Sequence, residues 1–121
     1  MRKIYTLFFV LGFANSSIGQ DLHIVETSSY MLFSPDYLEV YQGDTIRFMY
    51  MGGMPHTTTS SDIPAGADSW DAVLNSDNRS FDFVPTVTGD YNYVCTPHID
   101  MGMVGGFKVL ETPFYLGQWS S

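Results

Sequence analysis

The feature that most constrains this chain is a two-residue alternation of apolar and polar side chains, repeated in short segments between turn residues. In 37–41, Leu38 and Val40 share one face while Tyr37, Glu39 and Tyr41 share the other. Gln42-Gly43-Asp44 turns the chain, and Ile46, Phe48 and Tyr50 then alternate with Thr45, Arg47 and Met49. Phe81 and Phe83 alternate with Ser80 and Asp82, and Tyr91, Tyr93 and Cys95 oppose Asn92 and Val94 after the Gly89-Asp90 turn. Phe107 and Val109 continue the pattern towards the C-terminus. Side chains that return to one face at every second position describe a strand with one buried face. Many short strands of this kind describe an antiparallel sandwich. One helical turn or two is expected around 67–74, with Asp68 capping Trp70, Ala72, Val73 and Leu74. The expected fold is therefore all-β, and its 45% hydrophobic content is enough to bury a core, which excludes disorder. At 121 residues there is room for one domain.

The first residues have a different character. Arg2 and Lys3 precede an apolar run of 11 residues from Ile4 to Ala14, and small residues follow, with Ser17 and Gly19 at peptidase spacing. The run is too short for a bilayer span, which needs about 20 residues. Residues 1–19 are expected to be a signal peptide, 20–111 the folded domain and 112–121 a C-terminal tail. No cysteine lies near the cut, so a lipid anchor is not expected. Cleavage leaves three basic against thirteen acidic residues, a net −10 where the full chain has −8. That sign argues against nucleic acid or anionic lipid as a partner and favours a basic partner surface or simple solubility.

Cys95 is the only cysteine. Exported proteins normally pair their cysteines, and a lone thiol needs another occupation. The alternation places Cys95 on the core face with Tyr91 and Tyr93, at the end of its strand. A thiol in an apolar site is inert unless a nearby cation stabilises the thiolate. The sequence then runs Cys95-Thr96-Pro97-His98-Ile99-Asp100-Met101-Gly102-Met103-Val104-Gly105. Cysteine and histidine three residues apart can reach one metal from a single tight loop, and a methionine a little further on can approach along an axis. Thiolate, imidazole and thioether together select copper in both oxidation states. A structural zinc site would need a second cysteine. The second imidazole is His56, in Gly52-Gly53-Met54-Pro55-His56 after the strand over 45–50.

These residues resemble a cupredoxin of the plastocyanin and pseudoazurin kind, and the resemblance extends over about residues 22–110. Phe33-Ser34-Pro35, Gly43-Asp44-Thr45-Ile46, Met54-Pro55-His56, Ile63-Pro64-Ala65-Gly66, Gly89-Asp90-Tyr91 and the Cys95–Gly105 loop occur in the family's order. The resemblance implies an eight-stranded Greek-key β-sandwich and one type 1 copper, cycling between Cu(I) and Cu(II) on His56, Cys95, His98 and Met103. Met101 stands six residues after the cysteine and Met103 eight; Gly102 and Val104-Gly105 resemble the longer loop, which makes Met103 the axial ligand. The family's usual Asn after the first histidine is Thr57 here, whose hydroxyl can tie the copper loops only in part. Its backbone N–H is still expected to donate to the Cys95 sulfur. Val94 replaces the Tyr that precedes the cysteine in plastocyanins, so their remote electron route is not carried over.

The implied function is electron transfer by a soluble, monomeric carrier in the periplasm or outside the cell, with no catalytic residues. Electrons are expected to pass through an exposed edge of His98, within an apolar docking patch of Met54, Pro55, Pro97, Ile99 and Met101, with Met31 beside it. Asp62, Asp68, Asp71 and Asp77 offer steering charge for a basic redox partner. His23 reads as a surface residue and Asn78-Arg79-Ser80 as a weak glycosylation pattern. A copper carrier or chaperone would use the same ligands. A copper oxidase or nitrite reductase fragment would need histidines beyond the three present.

Overall fold

The computed structural model describes residues 20–112; the expected signal peptide and residues 113–121 of the tail lie outside that range. Among the described residues there are nine strands: β1 (Leu22–Thr27), β2 (Phe33–Ser34), β3 (Tyr37–Tyr41), β4 (Thr45–Met49), β5 (His56–Asp62), β6 (Asp71–Leu74), β7 (Ser80–Phe83), β8 (Gly89–Val94) and β9 (Val104–Leu110). They form two sheets, one ordered β2-β1-β4-β7 and the other β3-β9-β8-β5-β6. The chain passes from one sheet to the other at β2–β3, β3–β4, β4–β5, β6–β7 and β7–β8, so its core lies between two faces supplied by interleaved segments. This is the all-β sandwich the alternation predicts. Two details differ from the expectation: β2 is a two-residue strand added to the eight, and the sheets are mixed, with β1 parallel to β4 and β3 parallel to β9.

The alternating residues are buried as their period requires. Ile46, Phe48, Tyr91, Tyr93, Cys95, Phe107 and Val109 all enter one core with Val25, Val40 and Leu74. Aromatic rings fill its centre, with Tyr91 stacked on Phe107 at 4.7 Å and Tyr93 edge-on to Phe48 at 5.0 Å. Burial of one such side chain contributes roughly 1.5–3 kcal/mol. Tyr93 leaves room only for glycine at position 105 of β9, where a Cβ would clash with its ring.

The helix expected over 67–74 is absent. Asp71–Leu74 pair antiparallel with His56–Thr59 as the edge strand β6. Leu74 and Trp70 turn inward, and the Trp70 indole N–H donates to the Thr58 hydroxyl at 3.0 Å. Pairing with β5 satisfies backbone groups that an isolated turn of helix would leave open, and tertiary context outweighs local propensity. Among the described residues the one helical segment is instead a 3₁₀ helix over Thr96–Met101, which ends on Gly102 at a left-handed φ of 80°.

His23 is also not a plain surface residue. Its Nε2 lies 2.9 Å from the buried Asp44 carboxylate, which also accepts from the Tyr41 and Asp21 backbone N–H groups. A buried carboxylate needs such donors. This polar latch joins β1 to the turn before β4, at the end of β4 remote from the Gly52–His56 loop.

Candidate metal centre

Two connections meet at the opposite pole. The first follows β4: Tyr50 is buried under the Arg79 guanidinium, and its hydroxyl donates to the Gly53 carbonyl. Gly52 and Gly53 hold φ of 102° and 83°, values that suit glycine and reverse the chain. The reversal delivers His56 as the first residue of β5, on its core-facing side. Register with β6 fixes it there, since Thr58 is buried on the same face while Thr57 and Thr59 face outward.

The second connection follows β8. Cys95 leaves the strand with its side chain fully buried, and its N–H donates to the Met103 carbonyl at 3.0 Å, closing the loop at its base. Within the loop, the His98 N–H donates to the Cys95 carbonyl at 3.0 Å and the Met103 N–H to the His98 carbonyl at 3.3 Å. Pro97 at the start of the 3₁₀ helix costs no intrahelical bond there. These bonds turn His98 back towards Cys95.

Three donor atoms converge. His56 Nδ1 and His98 Nδ1 are 3.2 Å apart, and the Cys95 sulfur is 3.3 Å from His98 Nδ1 and 3.7 Å from His56 Nδ1. All three side chains are buried. Two imidazole nitrogens and a sulfur directed at one point have more lone pairs than their protons can serve, and a soft or borderline cation satisfies all three. Burial first, and the neighbouring His98 second, push the His56 pKa below its ordinary value. Both effects favour the neutral imidazole, the form that can bind a metal. The donor set fits copper.

The remaining expected residues divide by burial. Met103 is fully buried beside Cys95, whereas Met101 is 66% exposed. Met54, Pro55, Pro97 and Ile99 are exposed, and Met31 is half-buried against the core. The His98 edge is more covered than the resemblance implies. The residue is only 5% exposed, because the 3₁₀ helix folds it inward against His56.

The Thr57 N–H donates to the Cys95 sulfur at 3.4 Å, as expected. Its hydroxyl does more than expected, accepting from the Thr96 N–H at 2.9 Å and so joining the residue after His56 to the residue after Cys95. Thr59, Thr96 and Asp71 extend that contact into a network. The alternation of Thr57 and Thr59 on one strand face was its one sequence signal; Thr96 and Asp71 enter only through the fold.

Comparison with known proteins agrees with this geometry. Residues 20–110 match the family model for copper binding proteins of the plastocyanin/azurin family. Chloroplastic plastocyanin from Oryza sativa subsp. indica is 31% identical over 102 residues, covering 79% of this chain and 66% of its own length. That from Hordeum vulgare is 31% identical over 100 residues, covering 78% and 64%. The chain thus spans just under two-thirds of these relatives. Among solved structures, a pseudoazurin from Sinorhizobium superposes with a TM-score of 0.68 at 27% identity, covering 76% of each chain. Oxidised plastocyanin from the fern Dryopteris crassirhizoma gives 0.63 at 30% identity, covering 73% of this chain and all of that one. Its sequence, its sandwich and the convergence of His56, Cys95 and His98 place this chain in the plastocyanin/azurin family of copper binding proteins.

Proposed function

We propose that this protein is an exported one-electron carrier with a single type 1 copper on His56, Cys95, His98 and Met103. The observation that carries the reading is the convergence of two imidazoles and a buried thiol from loops 39 residues apart in sequence. Bound there, copper supplies a one-electron cycle between Cu(I) and Cu(II). The protein's own contribution is rigidity. Backbone bonds across the Cys95–Met103 loop and the register of β5 hold the donors in one arrangement, which keeps reorganisation small between oxidation states.

Met103, rather than Met101, would supply the weak fourth donor to the copper. Its burial and its carbonyl's bond to the Cys95 N–H favour it, while the exposure of Met101 suits a surface role. Electrons would exchange through the His98 edge, and Met54, Pro55, Pro97, Ile99 and Met101, on the two loops that carry His56 and His98, are all exposed. A small, adaptable apolar patch of this kind suits brief redox encounters. Asp62, Asp68, Asp71 and Asp77 are all exposed and would steer a basic partner. Among the described residues no helix is long and apolar enough to cross a membrane. The basic and apolar start of residues 1–19 supports export.

Anaerobic redox titration of copper-loaded protein tests the carrier role. Reversible one-electron cycling with the metal retained supports it. Ready loss of Cu(I) to an acceptor would identify a copper carrier instead.

A further inference from the structure

The outward face of β5 carries an assembly that metal coordination itself does not require. The Thr59 hydroxyl lies 2.8 Å from Asp71 Oδ1, 3.0 Å from the Thr57 hydroxyl and 3.3 Å from the Thr96 hydroxyl. The Thr57 hydroxyl in turn accepts the Thr96 backbone N–H at 2.9 Å. A hydroxyl has one proton to donate and two lone pairs to accept with, and an ionised carboxylate only accepts. The Thr59 proton is therefore committed to Asp71, the charge-assisted and shortest of its contacts. Thr57 and Thr96 must then donate to Thr59, which saturates it. With its proton turned to Thr59, Thr57 presents a lone pair to the Thr96 N–H. One charge on the edge strand β6 orients every bond in the set.

The bonds end at the metal centre. Thr57 follows His56 and Thr96 follows Cys95, and the Thr57 backbone N–H is the group that donates to the Cys95 sulfur. We propose that Asp71, acting through Thr59, is a positioning residue for the copper site: it fixes the hydroxyl tie between the two ligand loops and thereby the N–H···S bond that tunes the sulfur. This inference rests on the copper reading above. Such a bond sets ligand basicity, and outer-shell partners of metal ligands commonly contribute at least tenfold to metal retention. As ordinary surface polar contacts, the same hydroxyls would leave the site unaffected when removed.

The test uses the copper-loaded chain with Thr59→Val, Thr59→Ser, Asp71→Asn and the Thr59→Val/Asp71→Asn double variant. Thr59→Val removes the hydroxyl with little change of shape and none of charge. The readouts are the energy of the sulfur-to-copper absorption band and the rate of Cu(II) loss to a chelator. Thr59→Val is expected to shift the band and to speed copper loss about tenfold, and Thr59→Ser to restore both. Asp71→Asn is expected to shift the band in the same direction, and the double variant to add nothing further, as residues in one network couple. Unchanged band and loss rate in Thr59→Val, failed rescue by Thr59→Ser, or additive effects would each overturn the proposal. Should Thr59→Val not fold, an unshifted band in Asp71→Asn overturns it equally. A wild type that takes up no blue copper refutes the carrier reading and this inference together; a blue wild type with indifferent variants refutes this inference alone.

Discussion

His56 Nδ1 and His98 Nδ1 lie 3.2 Å apart although 42 residues separate them in sequence. Neither loop could hold that position alone. His56 is fixed by the pairing of β5 with β6 and β8, and His98 by backbone bonds within the Cys95–Met103 loop. The sandwich brings the two together, and its rigidity is what the proposed electron-transfer role needs.

The two methionines should separate cleanly on substitution. Met103→Leu conserves volume and should cost less than about 1.5 kcal/mol in stability, yet remove the sulfur proposed as the axial ligand. The blue copper protein should survive with a raised reduction potential, because the thioether proposed to help hold Cu(II) is gone. Met101→Leu, at an exposed position, should leave potential and spectrum as they were. Voltammetry of the two variants checks this, and a shift confined to Met101→Leu would reverse the assignment.

Gly105→Ala should destabilise the fold by about 1–3 kcal/mol through overpacking, since the added methyl meets the Tyr93 ring. Tyr93 is two residues before Cys95, so the same variant should also broaden the metal site's spectrum. Urea unfolding, followed by tryptophan fluorescence, measures the first effect.

Metal-free protein should lose stability in mild acid. Burial lowers the His56 pKa in the fold, so the unfolded chain, with an ordinary histidine near pH 6.5, binds the proton more readily. The stability held above that pH falls as pH drops through it towards the folded-state pKa. Unfolding midpoints at pH 8 and pH 5 should differ in that direction, and His56→Gln should reduce the difference.

Much of this was legible in the sequence because period two is a local property. Ile46, Phe48, Tyr91, Tyr93 and Cys95 declare their buried face without reference to any other strand, and all five are buried. The Cys95–His98 pair was legible for a similar reason, three residues being within one turn. What depended on distant partners was not. Trp70 to Leu74 read as helix because the sequence does not say that β5 needs an edge strand. His23 read as surface because Asp44, its partner, lies 21 residues away. The tie from Thr57 to Thr96 spans 39 residues, so the hydroxyl that stands where the family usually has Asn looked weaker than it is.

The central claim is that one copper sits among His56, Cys95 and His98 with the Cys95 thiolate as a ligand. The most direct measurement is the electron paramagnetic resonance and visible spectrum of residues 20–121 after one equivalent of Cu(II). An intense blue band with narrow copper hyperfine splitting is the predicted result, and Cys95→Ser should abolish it. A pale protein with the wide splitting of copper held by nitrogen and oxygen alone, unchanged in Cys95→Ser, would contradict the account.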